Sequence, residues 1–229
     1  MTLVVALQAS DGIVIGGDGR GSFGDPRGFM VISDVRKKVA SLGHYCGMGI
    51  SGPPDIGSAL LKDVNELLMS QNASSVEDVM HIVREYVKAQ YNDWFGQMPW
   101  DKRPVISLII CGYEPQAIPR IYMISSEYDW APMLSDSGFH VMGLPLFPTY
   151  LVNRFYSSSA NMHSIAALVE YIISETAGQD PKVGGPITIG IVTHELGYRE
   201  LNQEEVSALH CKNEKHYTIL SNYFRGISS

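Results

Sequence analysis

The hydrophobic and polar positions of the chain sort into short apolar runs broken by Gly and Pro, and longer stretches of helical period. Residues 3–8 and 13–17 are two strand-like runs separated by Ser10-Asp11-Gly12. An Asp-Gly step between two apolar runs is a strong short-range hairpin signal. The hairpin doubles the chain back, which returns Asp18 to the neighbourhood of Thr2 and sets Arg20 on the same face two positions later. Residues 22–30, SFGDPRGFM, read as a loop rich in Gly and Pro. A short strand at 31–33 follows, then a pair at 40–42 and 45–50 about a Gly43-His44 turn.

Ser51-Gly52-Pro53-Pro54 stops that last strand. Proline suits the first turn of a helix, and Asp55 adds favourable negative charge there. Ile56, Leu60, Val64, Leu67 and Leu68 then recur at helical spacing. A second helix starts near Ser74, where Ser74 and Glu77 have capping-box spacing, and its apolar stripe runs from Val76 to Trp94. Residues 97–103 read as a loop. Strands are expected at 105–111, 120–125 and 139–142, and helices at 146–156 and 162–176, the second closing at Gly178. A strand at 187–193, a turn at 194–197 and a strand at 198–201 complete the pattern. The tail after Asn202 shows no clear period.

The order is therefore strands, two helices, strands, two helices, strands. Paired helices between strand groups argue against a doubly wound parallel sheet. Two mainly antiparallel sheets, each covered outside by a helix pair, satisfy the order within a single domain over residues 1–229. The net charge of −7 argues against a general nucleic-acid binder. No apolar run approaches the ~18 residues of a membrane span, and the start lacks the basic and apolar regions of a signal peptide. A cytoplasmic protein without membrane contact is expected. Cys46, Cys111 and Cys211 make no disulfide framework, and the histidines lack metal-ligand spacing, so neither a metal nor a cofactor is expected.

Thr2 lies directly behind a methionine, Met1. A threonine hydroxyl is a poor nucleophile until a base takes its proton. Removal of Met1 would give Thr2 its own base, because a free α-amine titrates at about 7.7 to 8.0. A nearby cation would lower that value further. Lys38 can supply the cation. It sits between apolar positions, so one of Lys37 and Lys38 points inward, and an inward lysine needs a carboxylate such as Asp18. Gly52 ends a strand just before a helix, where backbone N–H groups can hold an oxyanion.

These pieces in order are Thr2, G-x-V-I-x-G-D-G-R ending at Arg20, K-K-V at 37–39 and G-x-G-I-S-G ending at Gly52. Together they resemble the proteasome β-subunit family of N-terminal-nucleophile hydrolases. The stretches around Asp18 and Lys38 look most like the bacterial two-ring peptidase that works with an ATP-driven unfoldase. The resemblance is good across 2–70 and looser beyond, with echoes at Gly143 and at 179–185. It implies an α+β fold, a four-layer αββα sandwich. It implies Thr2 as nucleophile, Lys38 held by Asp18, Gly52 as oxyanion donor, and Asp180 as catalytic support or a ring contact. Arg20, Gly21 and Ser22 would line the groove where a substrate strand adds, and Ile50 would make the pocket before the scissile bond apolar. Leu144 and Val183 stand where the family usually has serines that orient the N-terminal amine.

The activity so implied is that of a threonine peptidase. Identical subunits would form a ring that degrades unfolded polypeptide, with an ATP-dependent unfoldase as partner and no cofactor. A catalytically silent ring subunit and an amidase on the same fold stay open as alternatives.

Overall fold

The computed structural model describes residues 2–24, 30–71 and 73–227. Strands β1 (Val4–Gln8) and β2 (Ile13–Gly17) form the expected hairpin, with Val4 opposite Gly17 and Gln8 opposite Ile13. Its connection is closed by the Ala9 N–H donating to Gly12 O at 2.7 Å. The Asp11 carboxylate accepts the Met162 N–H at 2.7 Å, which ties the turn to a distant helix. Next, β3 (Gly21–Gly24) and β4 (Met30–Ser33) pair as a two-stranded ribbon. The segment expected to be all loop is therefore strand at its ends, and its residues 25–29 lie outside the described ones. Glycine and serine hide such a strand, because they bring backbone pairing without an apolar face.

Strands β5 (Val39–Leu42) and β6 (Cys46–Ser51) lead into helix α1 (Pro54–Met69), which carries Pro54 and Asp55 in its first turn as expected. Helix α2 (Val76–Phe95) is capped one residue later than its sequence suggests. The Ser75 hydroxyl accepts the Asp78 N–H at 3.0 Å, and the Ser74 N–H and hydroxyl donate back to the Asp78 carboxylate at 3.1 and 2.8 Å. Then come β7 (Ser107–Tyr113), β8 (Pro119–Ser125), β9 (Met133–Leu134), β10 (Phe139–Met142) and α3 (Leu146–Phe155). Helix α4 (Met162–Gln179) runs through Gly178 instead of stopping there. Strands β11 (Thr188–Thr193) and β12 (Gly197–Glu200) precede a helix the apolar period does not reveal, α5 (Gln203–Phe224).

The strands make two five-stranded antiparallel sheets, ordered β10-β1-β2-β11-β12 and β5-β6-β7-β8-β9. Helices α1 and α2 pack on the outside of the second sheet, and α4, flanked by α3 and α5, on the outside of the first. The sandwich is thus αββα, with three helices rather than two on one face. Leu3, Val5, Leu7 and Val14 face α4, where they meet Val169, Ile172 and Ile173. Val4, Ala6, Ile13 and Ile15 face the other sheet, where Val39, Ile109, Cys111 and Ile121 receive them. Because β1 and β2 are buried on both faces, their sequences are solidly apolar rather than alternating. A side chain at Gly49 would collide with Val4 Cγ1, so the sheets meet closely beside the start of the chain. Among the described residues, no helix is long and apolar enough to cross a membrane.

Candidate active site

The hairpin register carries β2 out past Leu3, and this places Asp18. The Asp18 N–H donates to Leu3 O at 3.2 Å, and its Oδ1 accepts the Leu3 N–H at 2.8 Å. Its Oδ2 accepts the N–H groups of Arg20 at 3.2 Å and Gly184 at 3.1 Å. A single buried carboxylate thus gathers the chain start, its own following turn and the loop before β11. On the opposite side of Thr2 lies Gly143, with φ at +99°. Any side chain there would overlap the Thr2 carbonyl oxygen, so only glycine permits this approach.

Lys38 enters from the residue before β5. Its Nζ donates to Asp18 Oδ1 and to Arg20 O, each at 2.6 Å, and its side chain is 8% exposed. Burial pushes the Lys38 ammonium below its ordinary range. Asp18 counters that push, and the nearby Arg20 guanidinium adds to it. Lys37 turns the other way and pairs with Glu200 at 2.7 Å. The one-in, one-out reading of the lysine pair therefore describes the structure.

A cavity of about 150 Å³ opens over this arrangement, lined by Thr2, Gly21, Ser22, Lys38, Ile50 and Gly52 among others. Arg20 lines it too, but its guanidinium is committed elsewhere. It grips Asp34 through Nε and Nη2, both at 2.8 Å, and donates from Nη1 to Pro181 O at 2.9 Å. Gly52 follows β6 directly, with φ at +152°. Asp180 does not line the cavity. At the end of α4 its carboxylate accepts the Lys182 N–H at 2.8 Å and its carbonyl the Val183 N–H at 3.0 Å. That turn delivers the Gly184 N–H to Asp18. Val183 is buried in the apolar cluster under α4, and Leu144 packs against that cluster.

Met1 lies outside the described residues. Sequence reasoning did not place Asp34, which holds Arg20, or Gly184, whose N–H reaches Asp18. Asp34 is an isolated acid in a polar stretch, and a backbone N–H such as that of Gly184 leaves no side-chain signature. Chemically, the site holds a hydroxyl within a small cavity that also contains a desolvated ammonium fixed by a carboxylate. An alcohol oxygen is activated as a nucleophile in surroundings of this kind.

No protein-family model matches the chain. It is 24% identical over 223 residues to proteasome subunit beta 1 of Thermococcus kodakarensis, covering 91% of this chain and 96% of that protein. Proteasome subunit beta 1 of Thermococcus onnurineus is 25% identical over the same shares. Among solved structures, Anbu (ancestral beta-subunit) from Yersinia bercovieri superposes with a TM-score of 0.78 at 14% identity, over 99% of this chain and 98% of that one. A Gly-1 mutant of Anbu from Hyphomicrobium sp. strain MC1 gives 0.75 at 19% identity, over 100% and 99%. With that sandwich and that hairpin, the chain has the fold of the proteasome β subunits and other N-terminal-nucleophile hydrolases, and along its length it is similar in sequence to two proteasome β subunits.

Proposed function

We propose that the protein is a threonine-type endopeptidase with Thr2 as nucleophile once Met1 is removed. It works in the cytoplasm as one subunit of a ring of identical copies that encloses unfolded polypeptide, supplied by an ATP-dependent unfoldase. The observation that carries this reading is the inward ammonium of Lys38, fixed by Asp18 in the cavity that Thr2 lines. A buried lysine carries a desolvation cost, and a chain that only filled a place in a ring would gain no reaction from it.

In the first step Thr2 Oγ bonds to the substrate carbonyl carbon while its proton passes to the Thr2 amine. The carbonyl oxygen becomes an oxyanion, for which the Gly52 N–H is the proposed donor. Collapse breaks the C–N bond, and the amine's proton leaves with the departing nitrogen. Water then attacks the ester, one of its protons returns through the amine to Oγ, and the free acid departs. The positive field of Lys38 favours loss of the hydroxyl proton and keeps the amine neutral. Thr2→Ala tests the reading: hydrolysis of fluorogenic peptides should vanish while the particle assembles as before. Full activity in that variant would rule the mechanism out.

Leu144 and Val183, apolar where the family's serines stand, favour a second reading: a ring subunit without activity. Intact mass spectrometry of the protein purified from its native cells separates the two. Loss of Met1 is required by the peptidase, and a retained methionine fits only the silent subunit.

A further inference from the structure

A separate cavity lies at the end of the sandwich away from Thr2. Strand β6 runs from Cys46, which lines it, to Ser51 beside Gly52. At about 3.3 Å per residue, roughly 17 Å of strand parts the two places. The cavity's volume is about 310 Å³, at the lower bound of ordinary small-molecule sites. Its floor is apolar and belongs to the core: Leu42, Cys46, Leu68, Val76 and Val79 line it, and all are buried. Aromatic rings stand around that floor. His44 and Tyr45 come from the β5–β6 turn, Tyr113 from the end of β7 and His194 from the β11–β12 turn. They pair edge to face, His44 with Tyr45 at 4.6 Å between centroids and Tyr113 with His194 at 5.6 Å.

Charge decides what such a space holds. Glu114, just past β7, lines the cavity, and among the described residues that line it there is no lysine or arginine. The Glu114 carboxylate accepts the Glu77 N–H at 3.3 Å and has no lysine or arginine partner among the described residues. The start of α2 also borders the space, but its positive end is already met by the Ser75 cap, by Glu114 and by its own Glu77 and Asp78. Burial pushes the Cys46 thiol up to about 12, and the Glu114 charge adds to that push. The negative field therefore reaches the floor, and Cys46 stays a neutral thiol. The adjoining cavity shares Tyr113, Thr193 and His194. It is lined by Asp11 and Glu195, and again by no lysine or arginine among the described residues. A cation entering here finds aromatic rings and a carboxylate without a cation of its own, whereas an anion finds like charge. The floor selects for more than charge. A bare metal ion gains nothing from apolar side chains, while an apolar body attached to the cation buries itself against them.

We propose that this cavity binds a small organic ammonium ion, an aryl or alkyl body with one protonated nitrogen. The body lies on the apolar floor and the nitrogen between Glu114 and the Tyr113 ring. The site stands apart from the reaction at Thr2 and does not depend on it. Ligand-observed NMR titrations of the purified full-length protein compare phenethylammonium, 2-phenylethanol and 3-phenylpropanoate. These probes share one apolar body and differ in the charge at its end. At about pH 8 a primary amine is charged and an ordinary imidazole is neutral. The ammonium should bind about tenfold or more tightly than the alcohol, the weight of one charge-assisted hydrogen bond, and the carboxylate weakest of the three. Glu114→Gln keeps an acceptor for the Glu77 N–H. It should bring the ammonium down to the alcohol's affinity and leave the alcohol's own unchanged. Ala73, another lining residue, gives the steric control: Ala73→Leu fills the space and should weaken ammonium and alcohol together. N-acetyl-lysine amide, standing for a lysine presented by a protein, should bind less tightly than phenethylammonium. Equal affinity for ammonium and alcohol, tighter binding of the carboxylate or of the lysine amide, or ammonium binding untouched by either variant would each overturn the proposal.

Discussion

Asp18 and Lys38 are partners, but they are not equivalent. Asp18 keeps three backbone N–H donors, from Leu3, Arg20 and Gly184, whether or not Lys38 is present. Lys38→Met should therefore abolish hydrolysis while lowering stability only modestly, since the carboxylate it deserts is still solvated by amides. Asp18→Ala should cost about 3–5 kcal/mol, the usual penalty for stranding one member of a buried pair, because it also releases three segments of chain. Urea midpoints of the two variants give the comparison, and an equal loss in both would contradict this account. Gly143→Ala is the steric counterpart. With its left-handed backbone and the Thr2 carbonyl against it, one methyl group should cost about 1–3 kcal/mol as overpacking does, and should remove activity by displacing Thr2.

At the scale of elements, legibility followed the way each one is stabilised. The β1–β2 hairpin and α1 could be read because apolar runs, an Asp-Gly step and a Pro-Pro start state their geometry locally. Helix α5 could not, because only Val206 and Leu209 of its residues are buried. Its legible sign was the cap: Asn202 Oδ1 accepts the Glu205 N–H at 2.9 Å, and Glu205 returns the bond to the Asn202 N–H at 2.8 Å. What fastens it is polar and distant in sequence. Buried Glu170 on α4 takes contacts from Asn213 at 2.5 Å, from Ser174 at 2.6 Å and from His210 Nδ1 at 2.7 Å. Glu170→Ala should therefore cost about 1–3 kcal/mol, the desolvation left on unpartnered groups. Amide exchange should locate the loosening in α5 and not in β1 or β2.

The two sheets also touch through one histidine. His140 on β10 of the first sheet reaches the Met133 carbonyl on β9 of the second, at 3.0 Å. Burial holds its imidazole below the ordinary value of 6.5, with the Met133 contact opposing in part. The unfolded chain then takes up this proton at a higher pH than the folded one does. As pH falls from about 6.5 through the folded value the unfolded state gains the proton first, so stability declines over that window and levels off below it. His140→Gln keeps a donor for Met133 and should flatten the slope between pH 7 and the folded value. Chemical denaturation at two pH values measures it, and an unchanged slope would assign the acid sensitivity to other groups.

For the whole molecule, the peptidase proposed above would need enclosure, because an N-terminal nucleophile that is always armed has to be kept from other proteins and an isolated sandwich keeps nothing out. The surface is made for company. Leu146 and Tyr150 on α3, and Tyr217, Leu220, Tyr223 and Phe224 on α5, are each more than half exposed, with Tyr223 at 77%. Both helices pack on α4 and so belong to one side of the sandwich. Exposed aromatic and aliphatic residues grouped this way mark surfaces that bury themselves against another chain. A ring of identical copies uses two different patches per subunit, and it closes only if the rotation between neighbours divides a full turn. Sedimentation of the wild-type protein should therefore give one closed multiple of 25.2 kDa that does not grow with concentration. Replacing Tyr223 and Phe224 together by Asp should shift that species toward the single chain. The melting temperature of the released subunit should hold, because neither residue contributes to its core. A wild-type protein that stays monomeric at tens of micromolar would leave the nucleophile unenclosed, and the peptidase would then have to act on small or already unfolded substrates in open solution.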